Sequence, residues 1–168
     1  LFTLGAADWP QWRGPTRDGL VSGQAWPADL AAGHLDLLWR VPLDPSYSGP
    51  VVAGERVFTT ETQDQRREVV HSYHRVTGKP LWRQSWEGAM RVPFFARANG
   101  DWIRATPACD GETLFVPGMR DVLTALAADT GTVRWRRDFV AEMGTPLPAF
   151  GNVSSPLVDV GALFVQSG

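Results

Sequence analysis

With 168 residues, 43% of them hydrophobic and 20% charged, the chain has enough material for one ordinary domain with a buried core, and none of the bias of a disordered or fibrous protein. A net charge of −2 leaves no basic excess to neutralise phosphates, which argues against a nucleic-acid partner. Eight Trp and 13 Pro suit short strands joined by turns better than a helical bundle.

The first seven residues, LFTLGAA, are apolar and small, and the chain turns polar at Asp8. They read as the remnant of a signal peptide with a small-residue cleavage site near Ala7, or else as an ordinary buried first strand. Export places the protein in the periplasm or another extracytoplasmic space. No run reaches the ~18 apolar residues of a membrane span. Residues 8–36 form an N-terminal extension, and LLWRVPL at 37–43 reads as a lone strand.

From residue 48 the sequence repeats. SGPVVAGERVFTTE (48–61) and VVHSYHRVTGKPLW (69–82) are followed by ATPACDGETLFVPG (105–118) and LTALAADTGTVRW (123–135), then by SSPLVDVGALFVQSG (154–168). The shared pattern is a small residue and Pro, a short apolar strand, a Gly turn, a β-rich strand, and an apolar strand leading to Thr-Gly-x-x-x-Trp. Pro50, Pro107 and Pro156 are 57 and 49 residues apart, and Trp39, Trp82 and Trp135 are 43 and 53 apart. A unit of that length holding four strands has the size of a propeller blade.

The expected strands of the first unit are 50–53, 57–61, 69–75 and 80–84, with TQDQRRE connecting the second to the third. Those of the second unit include 114–117, 122–127 and 133–137. The blades run over 48–84 and 105–137, a further blade starts at 154–168, and 37–43 is the fourth strand of a blade whose other strands lie elsewhere. Each recurring Trp offers a flat side chain of ~150–250 Å² to bury between blades, and its indole N–H needs an acceptor that a backbone carbonyl of the neighbouring blade can supply.

SYHRVTGKPLW and ALAADTGTVRW resemble the tryptophan-docking motif of pyrroloquinoline quinone (PQQ)-like propellers. Thr77, Gly78 and Trp82 stand at its turn and anchor in one copy, and Thr130, Gly131 and Trp135 in the other. Both copies depart from it at the acidic position, where His74 and Ala127 stand, which implies a weaker lock between blades. The opening DWPQWRGPTRDG resembles the start of exported PQQ-like repeat proteins of planctomycete-type bacteria, and the repeats are also similar to the propeller of the outer-membrane β-barrel assembly lipoprotein. The resemblance implies an all-β protein: a β-propeller of four-stranded antiparallel blades, of which this chain carries about two and a half out of seven or eight.

Blade strands are scaffold, so function is sought in loops and the central funnel. Two connections are long, 85–107 and 138–156. The first carries Arg91, Arg97, Asp101, Trp102 and Arg104, and guanidinium groups beside a Trp can hold a planar anionic ligand by charge-assisted bonds and stacking. The competing reading is that Phe94, Phe95 and Trp102 fold this loop onto the rim, with the Arg residues solvated or paired to Asp101. Cys109, the single cysteine, reads as a buried small hydrophobe rather than a nucleophile. His71 and His74, three apart on a strand, face opposite sides and share no metal. Neither a catalytic residue nor a metal site emerges.

The family's quinoproteins imply PQQ stacked on a Trp beside a disulfide of adjacent cysteines, with Ca²⁺ on Glu, Asn and Asp. This chain shows no adjacent cysteines and no such constellation, so no cofactor is evident and PQQ with Ca²⁺ enters through the resemblance alone. Three readings follow in order: an exported, non-catalytic scaffold that binds a protein partner or small ligand at its rim or funnel; a PQQ-dependent alcohol or sugar dehydrogenase; and an extracytoplasmic sensor propeller.

Overall fold

The computed structural model describes residues 7–21, 29 and 36–168; the signal-peptide reading of the first residues and much of the extension to residue 36 lie outside the described residues. The described strands form two four-stranded antiparallel sheets and the beginning of a third. The first has the order β1 (Val51–Ala53), β2 (Arg56–Gln63), β3 (Arg67–His74) and β4 (Pro80–Glu87). The second runs β5 (Ala108–Cys109), β6 (Thr113–Pro117), β7 (Val122–Ala127) and β8 (Val133–Asp138). The third pairs β9 (Leu157–Asp159) with β10 (Ala162–Phe164). The first strands β1, β5 and β9 lie side by side, so the sheets radiate as the blades of a propeller fragment.

The period of two decides which blade each side chain meets. Leu114, Val116 and Leu126 join Val51, Phe58, Val70 and Trp86 of the first blade in one buried cluster. Phe115, Leu123 and Ala125, pointing the other way, meet Val158, Leu163 and Val165 of the third.

The Thr-Gly turns have the same geometry in both blades. Gly78 and Gly131 sit at φ of +67° and +73°, a region L-residues enter only at a cost. Their N–H groups donate to the carbonyls of His74 and Ala127, each at 2.8 Å. The absent Cβ lets an indole lie on each glycine: a Cβ on Gly78 would come within 2.6 Å of Trp39, and one on Gly131 within 2.6 Å of Trp82. The Trp39 indole donates to the Arg75 carbonyl at 2.8 Å and the Trp82 indole to that of Ala128 at 3.0 Å. In both cases the acceptor lies three residues before the glycine. Trp135, on β8, packs against Phe115 at 5.9 Å.

Three sequence expectations change. Residues 37–43 form no ladder among the described residues, because a strand exists only by pairing; Trp39 nonetheless holds its place on Gly78. The polar run TQDQRRE is mostly strand rather than connection. Asp64 and Gln65 both adopt φ of +54°, which shrinks the turn to three residues and puts Thr62 opposite Glu68 in the β2–β3 ladder. The long connections are partly helical, with a 3₁₀ turn at Phe94–Asn99 and a short helix, α1 (Phe139–Met143), capped by the Asp138 carboxylate accepting from the Ala141 N–H at 3.0 Å.

His74 replaces the acidic residue with another acceptor. Its Nδ1 accepts from the N–H groups of Val76 and Thr77, each at 3.3 Å, doing in the first blade what a carboxylate would do. Ala127 offers nothing comparable in the second. His74→Ala is expected to cost about 0.5–2 kcal/mol, the loss typical of a side-chain cap on two backbone donors. Thermal melting of the variant against the parent chain measures it, and an unchanged Tm refutes the capping role.

Candidate functional site

The N-terminal segment is a strap rather than an appendage. Trp9 exchanges two backbone hydrogen bonds with Val52 of β1, each at 2.9 Å, and the Pro10 carbonyl accepts from the Cys109 N–H of β5 at 2.8 Å. The Gln11 Oε1 accepts from the Val158 N–H of β9 at 3.1 Å, and Arg17 donates to the Pro156 carbonyl at 3.1 Å. Asp8 anchors the start, accepting from Arg75 at 2.9 Å and from the Gly54 N–H at 3.0 Å. Residues 8–17 therefore cross the first strands of all three blades.

The small-Pro positions preceding β1, β5 and β9 are joined by hydroxyls. The Gly49 N–H donates to the Thr106 Oγ1 at 3.0 Å, and the Thr106 N–H to the Ser155 Oγ at 2.9 Å. The second and third blades thus each offer a hydroxyl to the backbone of the one before.

Strap and blade starts together wall an open cleft of about 620 Å³. Trp12 and Arg17 form one side, Tyr47, Arg104 and Thr106 a second, and the residues flanking β9 and ending β10, among them Leu157 and Phe164, the third. Among the described residues, two arginines line it and no carboxylate does. The Arg17 guanidinium lies 5.5 Å from the Trp12 ring centroid and that of Arg104 lies 5.0 Å from that of Tyr47. Arg104 donates through Nη2 to the Gly100 carbonyl at 2.8 Å, while its Nε is buried with no partner.

The five residues singled out from sequence do not converge. Arg91 and Arg97 are exposed, Arg97 on the 3₁₀ turn. Asp101 accepts from the Val92 N–H at 2.8 Å, closing its loop, and Trp102 packs beneath Gly100 and 5.2 Å from Tyr47. Arg104 is the member that lines the cleft. Sequence reasoning missed Trp12, Arg17 and Tyr47; the Trp, Arg and Gly density of DWPQWRGPTRDG is the one local sign of them. Cys109 is buried, and burial pushes its thiol up to about 11, far from the thiolate a nucleophile needs. His71 bonds Glu61 at 3.0 Å, on a different face from His74.

Outside the cleft, an aromatic cluster crowns the same rim. Phe94 and Phe95 stand edge to face at 5.6 Å, and Phe150, from the next connection, meets Phe95 at 6.0 Å. All three are exposed, Phe94 to 79%.

A family model described as outer membrane protein assembly factor BamB matches residues 28–98 and 66–168. A comparison with curated proteins gave no match. Among solved structures, BamB from Moraxella catarrhalis aligns with a TM-score of 0.51 at 20% identity, covering 77% of this chain and 33% of its own. Quinohemoprotein alcohol dehydrogenase from Comamonas testosteroni aligns with a TM-score of 0.42 at 21% identity, over 60% of this chain and 14% of its own. A europium-containing methanol dehydrogenase aligns with a TM-score of 0.42 at 18% identity, over 58% and 16%. The chain spans about a third of the length of the BamB structure it matches.

Proposed function

The chain belongs to the PQQ-like β-propeller family, by the model described as outer membrane protein assembly factor BamB, and we propose that it is part of an exported, non-catalytic scaffold that docks a protein partner on its rim. The observation that carries this reading is the cluster of Phe94, Phe95 and Phe150. Two separate connections each contribute aromatics to one exposed patch, and contiguous apolar surface on a soluble protein marks interaction sites. Rigid aromatic anchors of this kind are what interface hot spots are made of.

Export is supported by the matching family model, whose description is that of an outer membrane protein assembly factor. No described helix is long and apolar enough to cross a membrane. The chain holds a single cysteine, and no three His, Cys, Asp or Glu among the described residues cluster as possible metal ligands.

A photo-crosslinking residue placed at Phe150 of the full-length protein, in its native cell, is expected to yield one discrete protein adduct that the same residue at Glu112 does not. The adduct is expected to vanish in a Phe94→Ser/Phe95→Ser variant of unchanged Tm. An adduct indifferent to those changes, or alcohol oxidation by the full-length protein on adding PQQ, Ca²⁺ and a dye acceptor, overturns the reading.

A further inference from the structure

The cleft beneath the strap is built unlike the aromatic patch, and its chemistry points to a different class of ligand. We propose that it binds an amphipathic organic oxyanion, a carboxylate or phosphate carried on an apolar body, with Arg17 and Arg104 holding the anion. The inference does not rest on the docking role of Phe94, Phe95 and Phe150.

Charge comes first. Among the described residues two guanidiniums and no carboxylate wall the cleft, and one sign of charge gathered in a cleft focuses a positive field there. The forked donors of Arg match planar and tetrahedral oxyanions. Arg104 makes one hydrogen bond, from Nη2 to the Gly100 carbonyl at 2.8 Å, which leaves its Nη1 donors for a ligand. The two guanidiniums lie over the Trp12 and Tyr47 rings; Arg17 bonds the carbonyls of Pro156 and Ser155 and Arg104 that of Gly100, and their remaining N–H groups are left for an oxyanion.

The backbone adds a second line. Arg17 is held at φ of +58° and Arg13 at +65°, a conformation non-glycine residues seldom take and one that concentrates at functional sites. Two backbone hydrogen bonds fix this bend, Arg17 N–H to Gly14 at 3.2 Å and Gly19 N–H to Arg13 at 3.0 Å. The turn is thereby held in a strained form that delivers Arg17 to the cleft.

The opposite wall is mixed: Val153, Leu157 and Phe164 stand there among Ser154, Ser155 and Gln166, and a volume of about 620 Å³ lies within the ~300–1,000 Å³ of small-molecule sites. Inorganic anions would leave its apolar members uncovered, so the preferred ligand has an apolar body.

The test uses full-length protein and calorimetric titration with 1-naphthoate and 1-naphthyl phosphate, with neutral 1-naphthamide and inorganic phosphate alongside. At least one naphthyl anion is expected to bind ten-fold or more tighter than both controls, and which one does so identifies the oxyanion. Arg17→Gln and Arg104→Gln are each expected to weaken that binding at least ten-fold. Because Arg17 also ties the strap to Pro156, a second variant stands apart from the fold: Phe164→Glu, at an exposed position, brings a competing carboxylate into the cleft and is expected to weaken binding equally at unchanged Tm. Naphthamide or inorganic phosphate binding as tightly as the anions overturns the proposal, as does undiminished affinity in Phe164→Glu or in both arginine variants.

Discussion

Replacing Glu68 by alanine is expected to destabilise the protein by on the order of 2–4 kcal/mol, read as a lowered urea midpoint. Glu68 sits on β3 with 1% of its surface exposed, between the first two blades. Its Oε2 accepts from the Trp86 indole at 2.8 Å within its own blade, and its Oε1 from the Met119 N–H at 2.5 Å in the next. Alanine leaves both donors buried without partners, and each orphaned group costs about 1–3 kcal/mol. The site is cut to fit: Gly88 and Gly118 flank the carboxylate, and a Cβ on Gly118 would come within 2.5 Å of it.

The same residue predicts a pH dependence. Burial raises the Glu68 pKa above the ordinary glutamate range, and the two N–H donors together with Arg136 and Arg120 only partly oppose this. Between the unfolded and the raised folded value, the native state holds a proton the unfolded state has lost. Stability must then fall as pH rises through that window. Glu68→Gln has no charge to lose, but its amide turns an NH₂ toward one of the two donors, so it starts less stable. The gap between parent and variant is expected to narrow as pH rises above the glutamate range, and a gap that widens contradicts the raised pKa.

That this clasp was invisible in the sequence has a physical cause. Hydrophobic periodicity marks strands by their apolar members, so a buried Glu in TQDQRRE reads as solvated connection. Its partner Met119 lies 51 residues away, a separation no local pattern encodes. The Thr-Gly-x-x-x-Trp units are legible for the opposite reason, since turn and anchor recur at fixed short spacing, and residues 122–127 emerge as the strand the structure contains. The candidate site fared worse. Arg104 stood out by its loop, but the cleft needs Arg17 and Phe164 beside it, and only the strap across three blades joins positions so far apart. His74 shows an intermediate case: the departure from the family pattern is plain in sequence, while the Nδ1 that takes over the acceptor role appears only with the ring's orientation.

Trp82→Ala is expected to cost about 3–5 kcal/mol, the range for removing a large packed aromatic, because one side chain makes two contacts to the next blade and one within its own. Its ring lies on Gly131, its indole N–H bonds Ala128, and its other neighbour is Phe58 at 5.7 Å. Gly131→Ala attacks the same contact from the turn. At φ of +73° the alanine pays about 1–2 kcal/mol for its backbone alone, and its Cβ displaces the indole as well. The two costs separate in a double-mutant cycle. With Trp82 already removed, Gly131→Ala is expected to retain the backbone part and lose the steric part. Gly111→Ala is the matched control, since Gly111 also has positive φ but nothing within 4 Å of an added Cβ. Gly131→Ala should therefore exceed Gly111→Ala in the parent chain and equal it in Trp82→Ala. Equal losses in the parent would mean that the indole does not press on the glycine, and that the blades are held by strand packing alone.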